Sequence, residues 1–239
     1  MNLPTYSQQD PRWSAKKLGP TDLTMGGFGC YVTTTASILA GAYDKRGPSG
    51  AMLTPGDLCD KLNAIKDGFD AFGQMSWTAV HELFPDCFLY KATWTTNAQF
   101  PGTAKITVEK AINDIRRAMM LGFPVGICVD NFPRDGRPDH IVACTSFPEE
   151  LSRMRIMDPD GGQEMFFIDK YGSPLLGIMG YRLLIGDSPT KSYVSGDRVE
   201  VSGALLNSMA VGVWKASQVY QGISMGTYSK EILDSILGG

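Results

Sequence analysis

The order of the predicted elements favours an α+β fold in which N-terminal helices pack on a C-terminal antiparallel sheet. Segments with helical periodicity dominate the first half of the chain, and short apolar runs bounded by turn residues dominate the second half. A run of helices followed by a run of strands is typical of the α+β class. The chain has 239 residues, of which 43% are hydrophobic and 20% are charged. It therefore has a globular composition and is long enough for a sizeable core.

Four helices are predicted. They cover residues 30–43, 55–68, 77–85 and 106–122. Pro55 occupies a first-turn position, where its missing N–H costs no hydrogen bond. Gly41 indicates the end of the first helix, and the fourth helix has the clearest apolar face. The Met-Gly-Gly-Phe-Gly run at 25–29 is predicted to be a flexible approach to Cys30.

Five strands are predicted. They cover residues 88–96, 123–130, 140–147, 154–162 and 180–187, and the fourth of these closes in a turn. The last four strands are short and are separated by turn-forming residues, as expected for an antiparallel sheet. We therefore assign residues 1–186 to one α+β domain.

Residues 187–239 are predicted to form a helical extension of this domain. They begin with a linker-like Ser-Pro-Thr-Lys-Ser run, and Leu205, Met209 and Val213 are spaced by four so that they share one helix side. Because apolar faces on a short extension suit docking, the segment is expected to bind a second copy of the chain or a virion-type assembly. The alternative is that it folds back over the domain and completes its core.

The composition argues against several classes of partner. The net charge is −3 and the isoelectric point is near 5.4, so the chain has no broad basic field for nucleic acid or for an anionic membrane surface. No apolar run approaches the length of a membrane-spanning helix. The N-terminal sequence lacks the basic and apolar regions of a secretory signal, which predicts synthesis in the cytoplasm without a signal peptide.

Cysteines and histidines are few and widely spaced. The five cysteines are an odd number without a CxxC pair, which indicates neither a disulfide framework nor a zinc site. The sequence has no HxxxH or HExxH motif, no calcium-loop spacing and no glycine-rich phosphate loop. No metal or cofactor is therefore expected, and a histidine-dependent mechanism has two candidates, His81 and His140.

Three residues occupy positions that suit nucleophilic catalysis. Cys30 begins a predicted helix, where backbone N–H groups and the helix dipole favour a thiolate. His140 begins a predicted strand, and Asp158 ends the strand that follows. Adjacent antiparallel strands would bring these two together, so that His140 accepts the thiol proton while Asp158 orients its ring. Asp160 is the competing orienting residue, and His81 is interpreted as a packing or surface histidine.

An ordered series of motifs extends this pattern over residues 3–186. The series is YSQQDPRW, GCYVTTTASILA, LTPGDLCDKLN, FGQMSWTAV, GFPVGICVD, DHIVACTSF and IMDPDGG. It resembles the cysteine peptidases related to bacteriocin double-glycine leader peptidases, the peptidase family thirty-nine-like group of the papain clan. The resemblance implies a papain-like cysteine peptidase fold, with the nucleophile at a helix start and the base at a sheet edge.

The resemblance also implies a role for each site residue. Cys30 would be the nucleophile, His140 the general base and acid, and Asp158 the orienting residue. Gln8 falls on the glutamine of the family's Gln-x-Asp-x-x-Trp pattern. Its side-chain amide would help the Cys30 N–H stabilise the oxyanion.

The match to this family includes departures. Asp10 and Trp13 complete the Gln-x-Asp-x-x-Trp pattern. Tyr31, however, stands directly after the cysteine, where such enzymes usually have a small residue, and could narrow the cleft. Residues 187–239 have no counterpart in the family pattern. Neither departure removes a residue of the triad.

The expected function is cleavage of a peptide or amide bond, in a protein or in a cell-wall peptide, by a Cys-His-Asp triad. An alternative enzyme is a papain-clan peptidoglycan amidase or endopeptidase. An alternative from another class is a structural component of a phage particle or other assembly that retains a peptidase fold. Because all three triad positions are kept, an enzyme is favoured over a scaffold. The protein would be incorporated in a phage virion or released.

Overall fold

A seven-stranded sheet lies at the centre of the part of the chain that the structure describes. The structure is a computed structural model, and it describes residues 1–99, 103–131 and 135–186. The strands are β1 Cys87–Thr95, β2 Lys105–Ile106, β3 Val125–Val129, β4 His140–Ser146, β5 Arg155–Asp158, β6 Gln163–Phe166 and β7 Gly180–Gly186. The helices are α1 Met25–Phe28, α2 Cys30–Tyr43, α3 Pro55–Ala64, α4 Trp77–Leu83, α5 Val108–Met120, α6 Phe167–Tyr171 and α7 Pro174–Gly177. A short 3-10 turn covers Leu151–Arg153.

The sheet is antiparallel apart from one parallel pair. Its strand order is β2-β1-β7-β3-β4-β5-β6, and β1 and β2 run parallel. The predicted combination of helices with a largely antiparallel sheet is confirmed. The sheet also takes β1 from the helical half of the chain, because β1 pairs with β7 from Cys87↔Gly186 to Trp94↔Gly180. Helices and strands are therefore less separated along the chain than the sequence predicted.

Helix α2 is buried along most of its length. Its three consecutive threonines are weak helix formers, yet Thr33, Thr34 and Thr35 are all buried. The Thr34 hydroxyl donates a hydrogen bond of 2.9 Å to Ile141 O, which ties the helix to strand β4. Tertiary contacts rather than intrinsic propensity therefore stabilise α2.

Helix α2 has the predicted bounds, residues 30–43, but Gly41 is not the residue that ends it, which corrects that part of the prediction. The helix continues to Tyr43, and Asp44 ends it in the left-handed conformation with a φ of 49°. A Cβ at Gly41 would lie 2.8 Å from Pro4 Cδ and 2.9 Å from Leu3 Cα. The glycine is therefore required for close approach of the N-terminal segment to the helix.

The other predicted helices are present with shorter bounds. Helix α3 begins with a capping box, in which Asp57 N donates to Thr54 Oγ1 at 3.1 Å and Thr54 N donates to Asp57 Oδ2 at 3.0 Å. Helix α5 contacts β3 and β7, and the Tyr181 hydroxyl donates to its Asp114 at 2.7 Å. Leu184, three positions after Tyr181 on β7, packs with the core of α2. Since alternate strand residues face opposite sides, α2 and α5 lie on opposite faces of the sheet.

The segment before Cys30 differs from the prediction. Residues 25–28 form the short helix α1 rather than a flexible approach, and Gly29 N donates to Met25 O at 2.8 Å. The elements β2, β6, α6 and α7 were not predicted, because each has between two and five residues and none gives a periodic signal.

The predicted helical extension at 187–239, the domain boundary before it and its docking role lie outside the described residues. Among the helices that the structure describes, none combines the length and the apolar character needed to cross a membrane.

Candidate active site

A cleft of about 710 Å³ opens where α2 begins. Its lining includes Gln8, Cys30, His140 and Asp160. Asp158 is fully buried beside His140. The fold therefore brings together five of the side chains that the sequence singled out as candidates, namely Gln8, Cys30, His140, Asp158 and Asp160.

Cys30 is the first residue of α2, and its side chain is 6% exposed. The turn from α1 sets this position, because a Cβ on Gly29 would lie 2.8 Å from Met25 Cα. The Cys30 Sγ lies 3.9 Å from Asp139 O, next to the start of β4. The N-terminus of a 14-residue helix stabilises negative charge placed beside it.

His140 is the first residue of β4, and Asp158 is the last residue of β5. These strands are antiparallel neighbours, so the first residue of β4 lies near the last residue of β5. His140 Nε2 lies 2.8 Å from Asp158 Oδ1. Because the carboxylate engages Nε2, the other ring nitrogen, Nδ1, is the one that can serve the thiol of Cys30.

His140 and Asp158 stabilise each other's charged forms. Burial alone would lower the pKa of His140, but its hydrogen bonds to Asp158 and to the Cys30 sulfur raise that pKa to about 9. Burial alone would raise the pKa of Asp158, but its contacts with the imidazole and two further side chains lower it to about 2. At neutral pH the resting site therefore holds an imidazolium against an ionised carboxylate.

Two residues that the sequence did not single out support Asp158. Lys170 Nζ donates to Asp158 Oδ2 at 2.9 Å, and the Tyr171 hydroxyl donates to the same oxygen at 2.7 Å. The backbone N–H of Asp160 donates to Oδ1 at 2.9 Å. Together with His140, these donors make four charge-assisted hydrogen bonds that fix the carboxylate.

Asp160, the competing orienting residue, has different partners. Its Oδ2 pairs with Lys170 Nζ at 2.8 Å, and its Oδ1 accepts from Gln9 Nε2 at 3.0 Å. The imidazole of His140 bonds to Asp158 instead. The geometry therefore favours Asp158 over Asp160 for orienting the ring.

Gln8 lines the cleft and is 5% exposed. Its backbone N–H donates to Pro159 O at 2.8 Å, which joins the N-terminal segment to the turn after Asp158. Its Nε2 donates to Gly26 O at 3.1 Å with one hydrogen. An amide nitrogen carries two hydrogens, so the second can be offered to a ligand.

The rest of the Gln-x-Asp-x-x-Trp pattern fixes the segment that carries Gln8. Trp13 is buried, and its Nε1 donates to Ser7 O at 2.8 Å. Asp10 O accepts from Trp13 N at 3.0 Å, and the Asp10 carboxylate pairs with Arg12 at 2.7 Å. In this structure Asp10 and Trp13 therefore hold the backbone in place and do not enter the cleft.

Tyr31, the unusual neighbour of the cysteine, forms part of the cleft wall. Its hydroxyl lies 3.6 Å from Cys128 Sγ, and its ring meets Trp77 edge to face with centroids 6.5 Å apart. The side chain thus contacts the buried Cys128 as well as Trp77, which also lines the cleft.

The other four cysteines are free and buried. Burial raises the pKa of Cys59 to about 11 and that of Cys144 to about 12. Burial is also the main cause of the raised pKa of Cys128. Thiols that stay protonated are poor nucleophiles, and none of these four cysteines is part of the cleft lining.

His81 does not line the cleft. Its Nδ1 lies 2.9 Å from Cys87 O, and its ring meets Phe88 edge to face with centroids 6.3 Å apart. These contacts match the packing interpretation of His81. In the described part of the chain, no group of three His, Cys, Asp or Glu side chains could hold a metal ion.

Several cleft residues gave no signal in the sequence. Phe28 and Phe72 line the cleft while 60% and 77% exposed. Arg182 of β7 adds a buried positive charge to the wall. Such residues reach the cleft through tertiary folding, and no local motif marks them. Exposed aromatic side chains beside a cleft are typical of a surface that receives a ligand.

Searches against known proteins gave no match to a family model, to a curated protein or to a solved structure. The functional assignment of the cleft therefore rests on its residues and their geometry.

Proposed function

We propose that this chain is a cysteine hydrolase with a papain-like arrangement that cleaves a peptide or amide bond, in a protein or in a cell-wall peptide. The observation that carries the proposal is the continuous set of contacts from Cys30 through His140 to the buried Asp158. Nucleophile and base share one cleft, and the orienting acid lies buried directly behind the base, as expected for a triad.

The proposed reaction uses Cys30 as a thiolate and His140 as an imidazolium. The Cys30 thiolate attacks the carbonyl carbon, forming the S–C bond while the carbonyl electrons move to oxygen. The Cys30 N–H and the second N–H of Gln8 are suited to stabilise that oxyanion. The His140 imidazolium then gives its proton to the departing nitrogen as the C–N bond breaks. A thioester and a free amine result.

The second half of the cycle reverses the roles. His140, now neutral, takes a proton from a water molecule, whose oxygen attacks the thioester carbon. The S–C bond breaks, the thiolate returns, and the product acid leaves. Asp158 keeps the ring oriented throughout and stabilises the imidazolium.

The test is hydrolysis by the full chain of a denatured protein and of purified peptidoglycan, with products identified by mass spectrometry. Cys30→Ala is expected to abolish cleavage, because it removes the sulfur that attacks the carbonyl carbon. Cys59→Ala, which removes a buried thiol of α3 outside the cleft, is the matched control and is expected to retain it. New amino termini within the denatured protein or within the peptide stems identify a peptidase, whereas release of the whole stem peptide from the glycan identifies an amidase. Cleavage that persists in Cys30→Ala would contradict the proposal.

A further inference from the structure

Arg182 is a buried cation in the wall of the cleft. It lies in the middle of β7 and is 7% exposed. Its register partner on β3 is Gly126, and it belongs to the same lining as Cys30 and His140. Transfer of a guanidinium from water into a protein wall is costly unless an opposite charge compensates it.

No carboxylate in the described part of the chain compensates Arg182. Its hydrogen bonds go to two backbone carbonyls, Tyr181 O at 3.0 Å and Thr93 O at 3.3 Å, and both use Nη1. The nearby cleft acids are engaged elsewhere: Asp160 pairs with Lys170, and Asp139 accepts from Asn131 N. Nε and Nη2 of Arg182 therefore keep donors for a ligand.

Trp94 holds the guanidinium in a fixed plane. The Arg182 Cζ lies 4.2 Å from the centroid of the Trp94 ring, a distance typical of a stacked cation–π pair. Gly180, the register partner of Trp94, makes room for the ring, since a Cβ there would lie 2.7 Å from Trp94 Cε3. A guanidinium stacked in this way presents its edge in the geometry that binds a carboxylate with two parallel hydrogen bonds.

The position of Arg182 relative to the nucleophile follows from their shared neighbours. Burial is the main cause of the raised pKa of Tyr31 and of Cys128, and on both groups Arg182 acts to lower the pKa while Cys30 acts to raise it. Arg182 and Cys30 thus lie within electrostatic range of the same two side chains. Tyr31 and Trp94, which line the cleft together with Arg182, pack against the buried cluster that contains Cys30.

We propose that Arg182, stacked on Trp94, forms a subsite for a carboxylate that the substrate carries close to the scissile bond. The subsite rests on the proposed hydrolase function and narrows its substrates to acidic peptides or amides. An anionic group in this position would compensate the buried guanidinium, which no described residue of the chain does.

The test compares anionic and neutral thiol reagents of two lengths on the full chain. The short pair is iodoacetate and iodoacetamide, in which the Cys30 sulfur attacks the CH2 carbon and iodide leaves. The long pair is 3-maleimidopropionate and N-ethylmaleimide, in which the sulfur adds across the ring double bond. If Cys30 prefers the anionic reagent of the short pair, the substrate carboxylate lies directly beside the attacked carbon. If it prefers the anionic reagent of the long pair, the substrate carries the carboxylate on a longer side chain.

In at least one pair, the anionic-to-neutral rate ratio at Cys30 is expected to fall roughly tenfold in Arg182→Met. Arg182→Lys keeps the charge and is expected to give an intermediate ratio, and Arg182→Gln replaces the methionine variant if that one does not fold. Arg155→Met is the matched control, because Arg155 also stacks on an aromatic ring but is paired with Glu164 outside the cleft.

The outcomes separate the two proposals. A Cys30 that reacts rapidly with the neutral reagents, but with ratios unchanged in the Arg182 variants for both pairs, would overturn the subsite and leave the hydrolase intact. A Cys30 that reacts no faster than Cys59 with the neutral reagents would overturn the hydrolase itself.

Discussion

The hydroxyl of Tyr171 donates a 2.7 Å hydrogen bond to Asp158 on the carboxylate oxygen opposite the one that faces His140. The two rings also lie near each other, with the centroids of Tyr171 and His140 6.4 Å apart. Tyr171 therefore acts on the imidazole through the carboxylate and is a positioning residue.

Tyr171→Phe is expected to slow the alkylation of Cys30 by iodoacetamide several-fold and to cost about 1–3 kcal/mol of stability, because a buried carboxylate loses a donor. Tyr181→Phe is the matched control, since it also removes a buried hydroxyl that donates to a carboxylate, that of Asp114 in α5. It is expected to cost similar stability and leave the alkylation rate unchanged. Equal rates in the two variants would show that Tyr171 has a merely structural role.

Cys30 is expected to be the reactive thiol among the five cysteines. Iodoacetamide labelling of the folded protein, mapped by mass spectrometry, should modify Cys30 first and should weaken in His140→Ala, which removes the imidazolium beside the sulfur. Labelling after denaturation, where all five thiols are accessible, is the control. Preferential modification of Cys128 or Cys144 in the folded protein would refute this prediction.

The stability of the fold is expected to depend on pH through His140. Its pKa is raised from 6.5 to about 9, so its contribution is complete below pH 6.5 and is lost as the pH rises through 9. The loss is on the order of 3 kcal/mol. Urea unfolding between pH 6 and 10 is the measurement, with His140→Ala expected to flatten the curve and His81→Ala to preserve it. If the free energy of unfolding changes with pH in the same way in the unmodified chain and in His140→Ala, His140 is not the source of the pH dependence.

Through Asp158, the stability of the fold is expected to depend on pH in the opposite direction, in the acid range. Its pKa is lowered from 3.8 to about 2, so its contribution is present above pH 3.8 and disappears as the pH falls through 2. Acid unfolding is therefore expected to begin at a higher pH in Tyr171→Phe, which removes one of the donors that lower this pKa. If the unmodified chain and Tyr171→Phe unfold at the same acid pH, the prediction is wrong.

Gln8→Ala is expected to reduce kcat on any cleaved substrate roughly 100-fold with little change in KM, because an oxyanion donor acts in the transition state. Gln163→Ala, on the exposed edge strand β6, is the control. A rise in KM at constant kcat would instead assign Gln8 to substrate binding.

Gly29→Ala is expected to destabilise the protein by about 1–3 kcal/mol, because the new Cβ would meet Met25 within α1. Gly27→Ala is the matched control, as its nearest atom would be Thr24 Oγ1 at 3.8 Å. The free energy of unfolding in urea is the measurement, and it is expected to fall in Gly29→Ala but not in Gly27→Ala. The Cys30 labelling rate should also fall in Gly29→Ala, since the turn aims the sulfur.

Local signals in the sequence were enough to predict the start of α2, the amphipathic helix α5 and the strands that carry His140 and Asp158. The pairing of those two residues followed from antiparallel geometry, in which the head of one strand meets the tail of the next. Lys170, Tyr171 and Arg182 could not be predicted, because their roles depend on distant partners. Asp158 is 12 and 13 residues away from the first two, and Trp94 lies 88 residues before Arg182. The role of Gly41 in α2 could not be predicted either, since the glycine allows a close contact with residues 3 and 4.

The hydrogen bond from Gln8 N to Pro159 O joins the beginning of the chain to the turn after Asp158. During synthesis the residues up to about 160 must therefore leave the ribosome before the oxyanion donor, the sulfur and the oriented imidazole can come together. Assembly of such distant segments belongs to the late steps of folding. For the hydrolase proposed above, a partly synthesised or partly folded chain would therefore have no competent nucleophile and could not cleave itself or its neighbours prematurely.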